Sequence, residues 1–215
     1  MKLSNGLLRL VLVGATGFLV AGCLFRPATV SVRRFVLSPL PPSERAPARA
    51  EPLPVGIGLV SLPPYLLRSS LAVRKGGNEI QYVEDALWAE PLDQGFQRTL
   101  AANLSRLLPT EQIYLSAWKR DQVKLRVSIT VEQFDVDTQG RGRLTAWWRI
   151  SPPSTDKPLK SGKASLVQTG ASPQGNPQAL VATLSELTTQ FSRMLAEAIR
   201  ECALAGQSTS EGGGS

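Results

Sequence analysis

Histidine is absent from this chain of 215 residues. Its absence removes the commonest general base, the hydrolase triads built on imidazole and most zinc sites together. Cysteine is nearly absent, with only Cys23 and Cys202, so no disulfide framework exists. Acidic residues are the minority, 17 against 24 Lys and Arg, for a formal charge of +7. The basic residues are spread along the chain, which reads as a solvated surface before it reads as attraction to anionic head groups or an acidic partner. Nucleic-acid binding has no recognition motif to support it. The glycine pair Gly56 and Gly58 runs into Pro63-Pro64 and not into a helix, so it makes no phosphate loop.

What is present begins at the N-terminus. Lys2 and Arg9 precede an apolar run, Leu10 to Val20, interrupted by Gly14, Ala15 and Gly17. The run is too short for a spanning helix of about 20 residues. Leu19-Val20-Ala21-Gly22-Cys23 resembles the lipobox of lipoprotein signal peptides. Residues 1–22 are therefore expected to be a signal peptide, removed before Cys23, whose thiol takes the lipid. Residues 23–31 then form a lipidated tether. Two or three acyl chains give stable attachment where one gives marginal binding. Residue 24 is Leu and not Asp, which favours the outer membrane by the sorting rule of enteric-type bacteria. With Cys23 lipidated, Cys202 lacks an intrachain partner and reads as a small buried apolar residue.

The remainder, 32–205, is long enough for one domain with a good core. Val32 to Ser38 reads as a strand, and Pro39 to Pro54 as an extended surface loop. Val55 to Leu62 reads as a strand with Val55, Ile57 and Leu59 on one face. Pro63-Pro64 must leave the sheet, because prolines cannot continue a central ladder. Gly76-Gly77-Asn78 joins two strands as a hairpin. The helical period over Pro91 to Leu108 places Leu92, Phe96, Leu100, Leu104 and Leu107 inward and Gln94, Gln97, Arg98, Ala101 and Ser105 outward. Ile113 to Leu115 reads as a brief strand.

From Val123 to Val131 apolar residues alternate with polar ones, as in a strand with one buried face. Phe134 and Val136 switch parity, which predicts a bulge. Strands at 143–150 and 162–170 follow, and a second long helix from Pro177 to about Ala203 carries Leu180, Leu184, Leu187, Phe191, Met194 and Ala198 as one stripe. Residues 206–215 have the composition of a disordered tail. The order predicts an α+β single domain, a mixed, mostly antiparallel sheet with two long helices packed on one face.

Three stretches carry a family resemblance: Phe35-Val36-Leu37-Ser38-Pro39; Ile57 to Leu66 with Arg68 and Arg74; and Trp88-Ala89-Glu90-Pro91-Leu92, continuing through Phe96, Arg98 and Asn103-Leu104. They resemble the auxiliary lipoproteins of ABC-type intermembrane lipid transporters, the PqiC/YmbA-like proteins. The resemblance covers the N-terminal half; the rest agrees in pattern. It implies a non-enzymatic lipoprotein on the periplasmic face of the outer membrane. Its partners would be an MCE-domain periplasmic protein and a membrane permease-like subunit. It would dock or tether the periplasmic channel and so support membrane integrity. A homo-oligomer is compatible with that role, and a lipid-binding carrier or sensor is the alternative.

Site candidates are few. Cys23 is the lipidation site. Pro63, Pro64, Tyr65 and Leu66 form a rigid, partly apolar loop that, with Trp88, is either structural or a docking surface. Trp147 and Trp148 lie on opposite strand faces, so one is core and the other a candidate for partner contact. Glu84, Asp85, Glu90 and Asp93 form an acidic cluster without a nucleophile motif, and Glu90 and Asp93 are explained by the helix start that follows. No catalytic residue, cofactor or metal is expected.

Overall fold

The computed structural model describes residues 31–44, 53–108, 110, 112–116 and 118–211. Cys23, the expected signal peptide, the expected tether up to residue 30, residues 45–52 of the expected surface loop and residues 212–215 lie outside them.

The sheet is organised by one long strand. Strand β6 (Leu125–Asp137) pairs along one edge with β7 (Arg141–Ser151), which pairs in turn with β8 (Lys160–Thr169), all antiparallel. Its other edge is shared by β2 (Val55–Ser61) and β3 (Ser70–Lys75), both parallel to it. These two are successive pieces of one path. The chain leaves β6 at Pro63-Pro64, makes a single 3₁₀ turn over Pro64–Leu66, and returns farther along the same strand. Strand β4 (Glu79–Trp88) folds back on β3 across the Gly76-Gly77-Asn78 hairpin, and β1 (Arg33–Phe35) adds to β4 in parallel. Strand β5 (Ile113–Leu115) pairs with β2 in parallel. The sheet is therefore mixed; its longest ladders, β6–β7 and β7–β8, are antiparallel.

Two helices, α1 (Leu92–Leu107) and α2 (Pro177–Glu211), pack on each other and on the sheet. The expected apolar positions meet there. Phe96 stands edge-on to Phe134 at 5.2 Å and packs on Phe191 at 6.1 Å, all three fully buried. The parity switch in β6 is real: its register with β7 shifts between Val131 and Gln133, which turns Phe134 and Val136 into the core. Gly142 lets α2 approach β7, since a Cβ there would stand 2.6 Å from Thr183 Cγ2.

Several boundaries and faces differ from the sequence expectation. Leu59 is not inward; it is 80% exposed and Val60 is buried instead. The cause is a register shift in the β2–β6 ladder between Ile57 and Val60. Gln97 and Ala101 do not face solvent either, because α1 is covered on more than one side. Strand β1 ends at Phe35 and not at Ser38: Leu37 and Leu40 turn into the core, and their backbone is taken by helix side chains. Strand β6 starts at Leu125, with Val123 buried just before it. The second helix passes Ala203 and stays helical to Glu211, so 206–211 continue it instead of starting a tail. No proline or capping motif stops it at Ala205-Gly206.

Candidate functional site

The face of the sheet opposite the helices carries the features that chemistry could use. The chain from Pro63 to Leu67 crosses at its edge. Leu66 is buried as a peg, Pro64 is exposed, and Pro63 and Tyr65 are half-buried. The Tyr65 hydroxyl donates to Asp135 Oδ2 at 2.9 Å. Arg74 donates to the same oxygen from Nε at 3.0 Å and Nη2 at 2.6 Å. Gln133 Nε2 donates to Asp135 Oδ1 at 2.9 Å, and Arg74 Nη1 reaches the Gly77 carbonyl at 3.1 Å. Asp135 is only 1% exposed although it lies on the solvent side of β6. A buried carboxylate survives when paired and hydrogen-bonded on both oxygens. Burial, then the neighbouring Asp135 charge, pushes the Tyr65 phenol up to about 12. The hydrogen bond to Asp135 raises Arg74 above its ordinary value. The group is a clamp, joining the Pro63–Leu67 excursion to β3 and β6.

Tyr82 extends the clamp by donating to the Tyr65 carbonyl at 3.0 Å, with Arg68 stacked 4.8 Å from its ring centroid. Nothing in local sequence announces this group; Asp135 reads only as a polar residue between Phe134 and Val136, and its partners lie far away in the chain.

Trp88 is a core residue, 8% exposed, at the end of β4. Its N–H donates to the Ser69 carbonyl at 2.7 Å. Of the tryptophan pair, Trp148 is buried over Gly162 and Trp147 is 50% exposed. Trp147 Nε1 donates to Glu132 Oε1 at 2.6 Å, Lys163 Nζ pairs with Glu132 Oε2 at 2.8 Å, and the same ammonium stands 5.0 Å from the indole centroid. Hydrogen bonds from Lys163 and Trp147 hold the Glu132 carboxyl below the usual carboxylate range.

The acidic cluster comes apart. Asp85 meets Arg33 at 3.5 Å, and Glu90 takes two hydrogen bonds from Arg98, at 3.2 and 2.5 Å. Asp85 and Glu90 thus face arginines and not one another, and Asp93 Oδ1 is buried at the start of α1 without a hydrogen-bond partner. Among the described residues no group of three or more His, Cys, Asp or Glu is gathered for a metal, and no helix is long and apolar enough to cross a membrane. Cys202 is buried, with its thiol pushed up by desolvation.

This architecture matches a known family model, that of the ABC-type transport auxiliary lipoprotein component, over residues 35–196. The match runs from the last residue of β1 into α2. The chain belongs to that family. As an ABC-type transport auxiliary lipoprotein it works with transporter subunits, and its family is not one of known enzymes. A search of curated proteins finds no significant match. Among solved structures, a protein from Xanthomonas campestris is similar with a TM-score of 0.65 and 15% identity, over 84% of this chain and 99% of that one. An uncharacterized protein is similar with a TM-score of 0.61 and 22% identity, over 79% and 99%. These two likenesses concern the fold.

Proposed function

We propose that the chain is a non-enzymatic outer-membrane lipoprotein of an MCE/Pqi-type intermembrane lipid transport system. Lipid on Cys23 holds it on the periplasmic face, and the folded domain docks or tethers the periplasmic channel and supports membrane integrity. The observation that carries the reading is the transport-auxiliary family match over residues 35–196, placed just after a lipobox ending at Cys23. The partners are an MCE-domain protein and a permease-like subunit. Of the predicted docking set, Pro64 and Trp147 are exposed and Tyr65 is half-buried, which leaves them open to contact with a partner.

A lipid carrier would need space between sheet and helices. That interface is instead filled by Phe96, Phe134, Phe191 and the leucines around them, which supports docking over carriage. The test is recovery from detergent-solubilised membranes with the tagged full chain as bait. An MCE-domain protein and a permease subunit are expected in the eluate; their absence while the bait is intact would overturn the reading. Cys23→Ser is expected to abolish fatty-acid labelling and move the protein into the soluble periplasmic fraction.

A further inference from the structure

Strand β7 turns Arg141, Arg143, Thr145, Trp147 and Arg149 to the helix-free face, since Leu144, Ala146, Trp148 and Ile150 between them are buried. Side chains on one strand face repeat at about 7 Å, so this stripe is about 27 Å long. Its charge is offset only in part within the fold, chiefly by Asp137, which lies beside Arg141 and is bonded only by the neutral backbone N–H groups of Gln139 and Arg141. The other acids of neighbouring β6 are already engaged: Glu132 by Trp147 and Lys163, and Asp135 by Arg74 and Tyr65. On the other side β8 presents Ser161, Lys163, Ser165, Val167 and Thr169, with no carboxylate. Among the described residues the Arg141 and Arg143 side chains have no ion-pair partner, while Arg149 lies near Asp156, which bonds Arg126 at 2.6 Å. A cleft of about 570 Å³, whose charged lining is Arg74, Glu132, Asp137 and Arg143, opens beside the stripe.

Trp147 is the second element. Its indole is half exposed yet held in one orientation, by Glu132 at its N–H and by Lys163 over its ring. An ordinary cross-strand ladder would stabilise the sheet without leaving a pinned indole open. A rigid exposed aromatic with Arg149 beside it and Arg143 farther along the same strand face is the composition of an interface anchor, because little side-chain entropy remains to be lost on binding.

We propose that this stripe docks an acidic segment of the transporter's periplasmic subunit, whose carboxylates meet Arg141 and Arg143 and whose apolar side chain lies on Trp147. The proposal rests on the transport reading above and adds the surface and the partner's chemistry. Opposite charge chooses the segment and the indole supplies the desolvated contact.

The test uses the full lipidated chain with a photocrosslinking residue at Ser165, which is exposed opposite Thr145. Irradiation of whole cells followed by peptide mapping is expected to give an adduct to a net-acidic segment of the co-purifying periplasmic subunit. Adduct yield should fall about tenfold or more in Trp147→Ala and in Arg141→Glu/Arg143→Glu. It should be retained in Arg141→Lys/Arg143→Lys, and be regained in the glutamate variant when the partner's mapped acids are changed to lysine. Adducts to lipid, to a second copy of this chain or to a neutral or basic segment would overturn it, as would no adduct at all. Thermal melts matching wild type show that the variants are folded. If the wild-type chain recovers no transporter subunit, the transport reading fails. If all the variants recover it as well as wild type does, only the stripe fails.

Discussion

Asp135 is the charged side chain that the fold buries among the described residues. Its carboxylate is buried, and three donors from two other segments converge on it. Asp135→Ala leaves the Arg74 guanidinium, itself only 18% exposed, without its counter-charge. The expected cost is about 3 kcal/mol, read as a lowered urea midpoint, because removing one partner of a buried pair strands the other. Tyr65 gives the same clamp a pH dependence. Its folded-state value of about 12 lies above the ordinary 10.0, so the native state holds the proton more tightly than the unfolded chain does. That contribution is complete below pH 10 and is lost as the pH rises to about 12. Tyr65→Phe lacks it. Melting temperatures of wild type are expected to fall faster than those of Tyr65→Phe across this window, and parallel curves would show that the phenol is not held.

At the scale of elements, the interrupted strand shapes the helix-free face. Pro63-Pro64 removes two ladder donors, so the path from β2 to β3 must bulge out and return. That excursion makes one wall of the cleft beside Arg143. The β6–β7 hairpin makes the other side and depends on Gly140. Its φ of +87° is in the region that favours glycine, and a Cβ there would stand 2.5 Å from the carbonyl oxygens of Gly170 and Ala171. Backbone cannot yield as a flexible side chain can. Gly140→Ala is expected to cost about 2 kcal/mol or more, measured by chemical denaturation, with increased amide exchange at Gly170, whose N–H donates to the Gly140 carbonyl.

At the scale of the whole molecule, the segment following β1 is tied into both helices. Asn103 on α1 accepts from the Leu40 N–H at 2.7 Å and donates to Ser192 Oγ on α2 at 3.0 Å. Ser185 on α2 accepts from the Ser38 N–H at 3.1 Å, and Arg106 reaches the Leu40 carbonyl. Pull on a lipid anchor would thus reach α1 and α2 and not β1 alone. Asn103→Leu keeps the volume but orphans the Leu40 N–H and removes the donor to Ser192, whose hydroxyl still bonds the Thr188 carbonyl. A loss of about 2 kcal/mol is expected. Amide exchange should quicken at Ser38 and Leu40 before the rest of the domain; uniform protection loss would argue against the strap.

Much of this was readable from local pattern. The alternation of Leu125 to Val131, the parity switch at Phe134, the glycine hairpin at 76–77, the departure at Pro63-Pro64 and the apolar stripes of both helices all follow from neighbours within a few residues, where period and turn chemistry act. The lipobox at Cys23 is equally local. Other features required distant partners. Leu59 lost its inward place to Val60 because the β2–β6 register shifts, and β6 lies about 70 residues away. Gln97 looked like a solvent residue, but its amide is needed by the Ile57 and Gly58 carbonyls at 3.0 and 2.7 Å, next to that shift. Trp88 could not be assigned to core or surface until β4 was paired on both sides. The clamp joins Tyr65 to Asp135 and the strap joins Leu40 to Asn103, over separations of 70 and 63 residues. The sequence by itself determined the elements and the alternation of their faces, since these depend on short-range periodicity. Which polar groups are buried, which tryptophan is free and which arginines stay unpaired were decided only by the tertiary structure, because burial and neutralisation belong to pairs that the fold brings together.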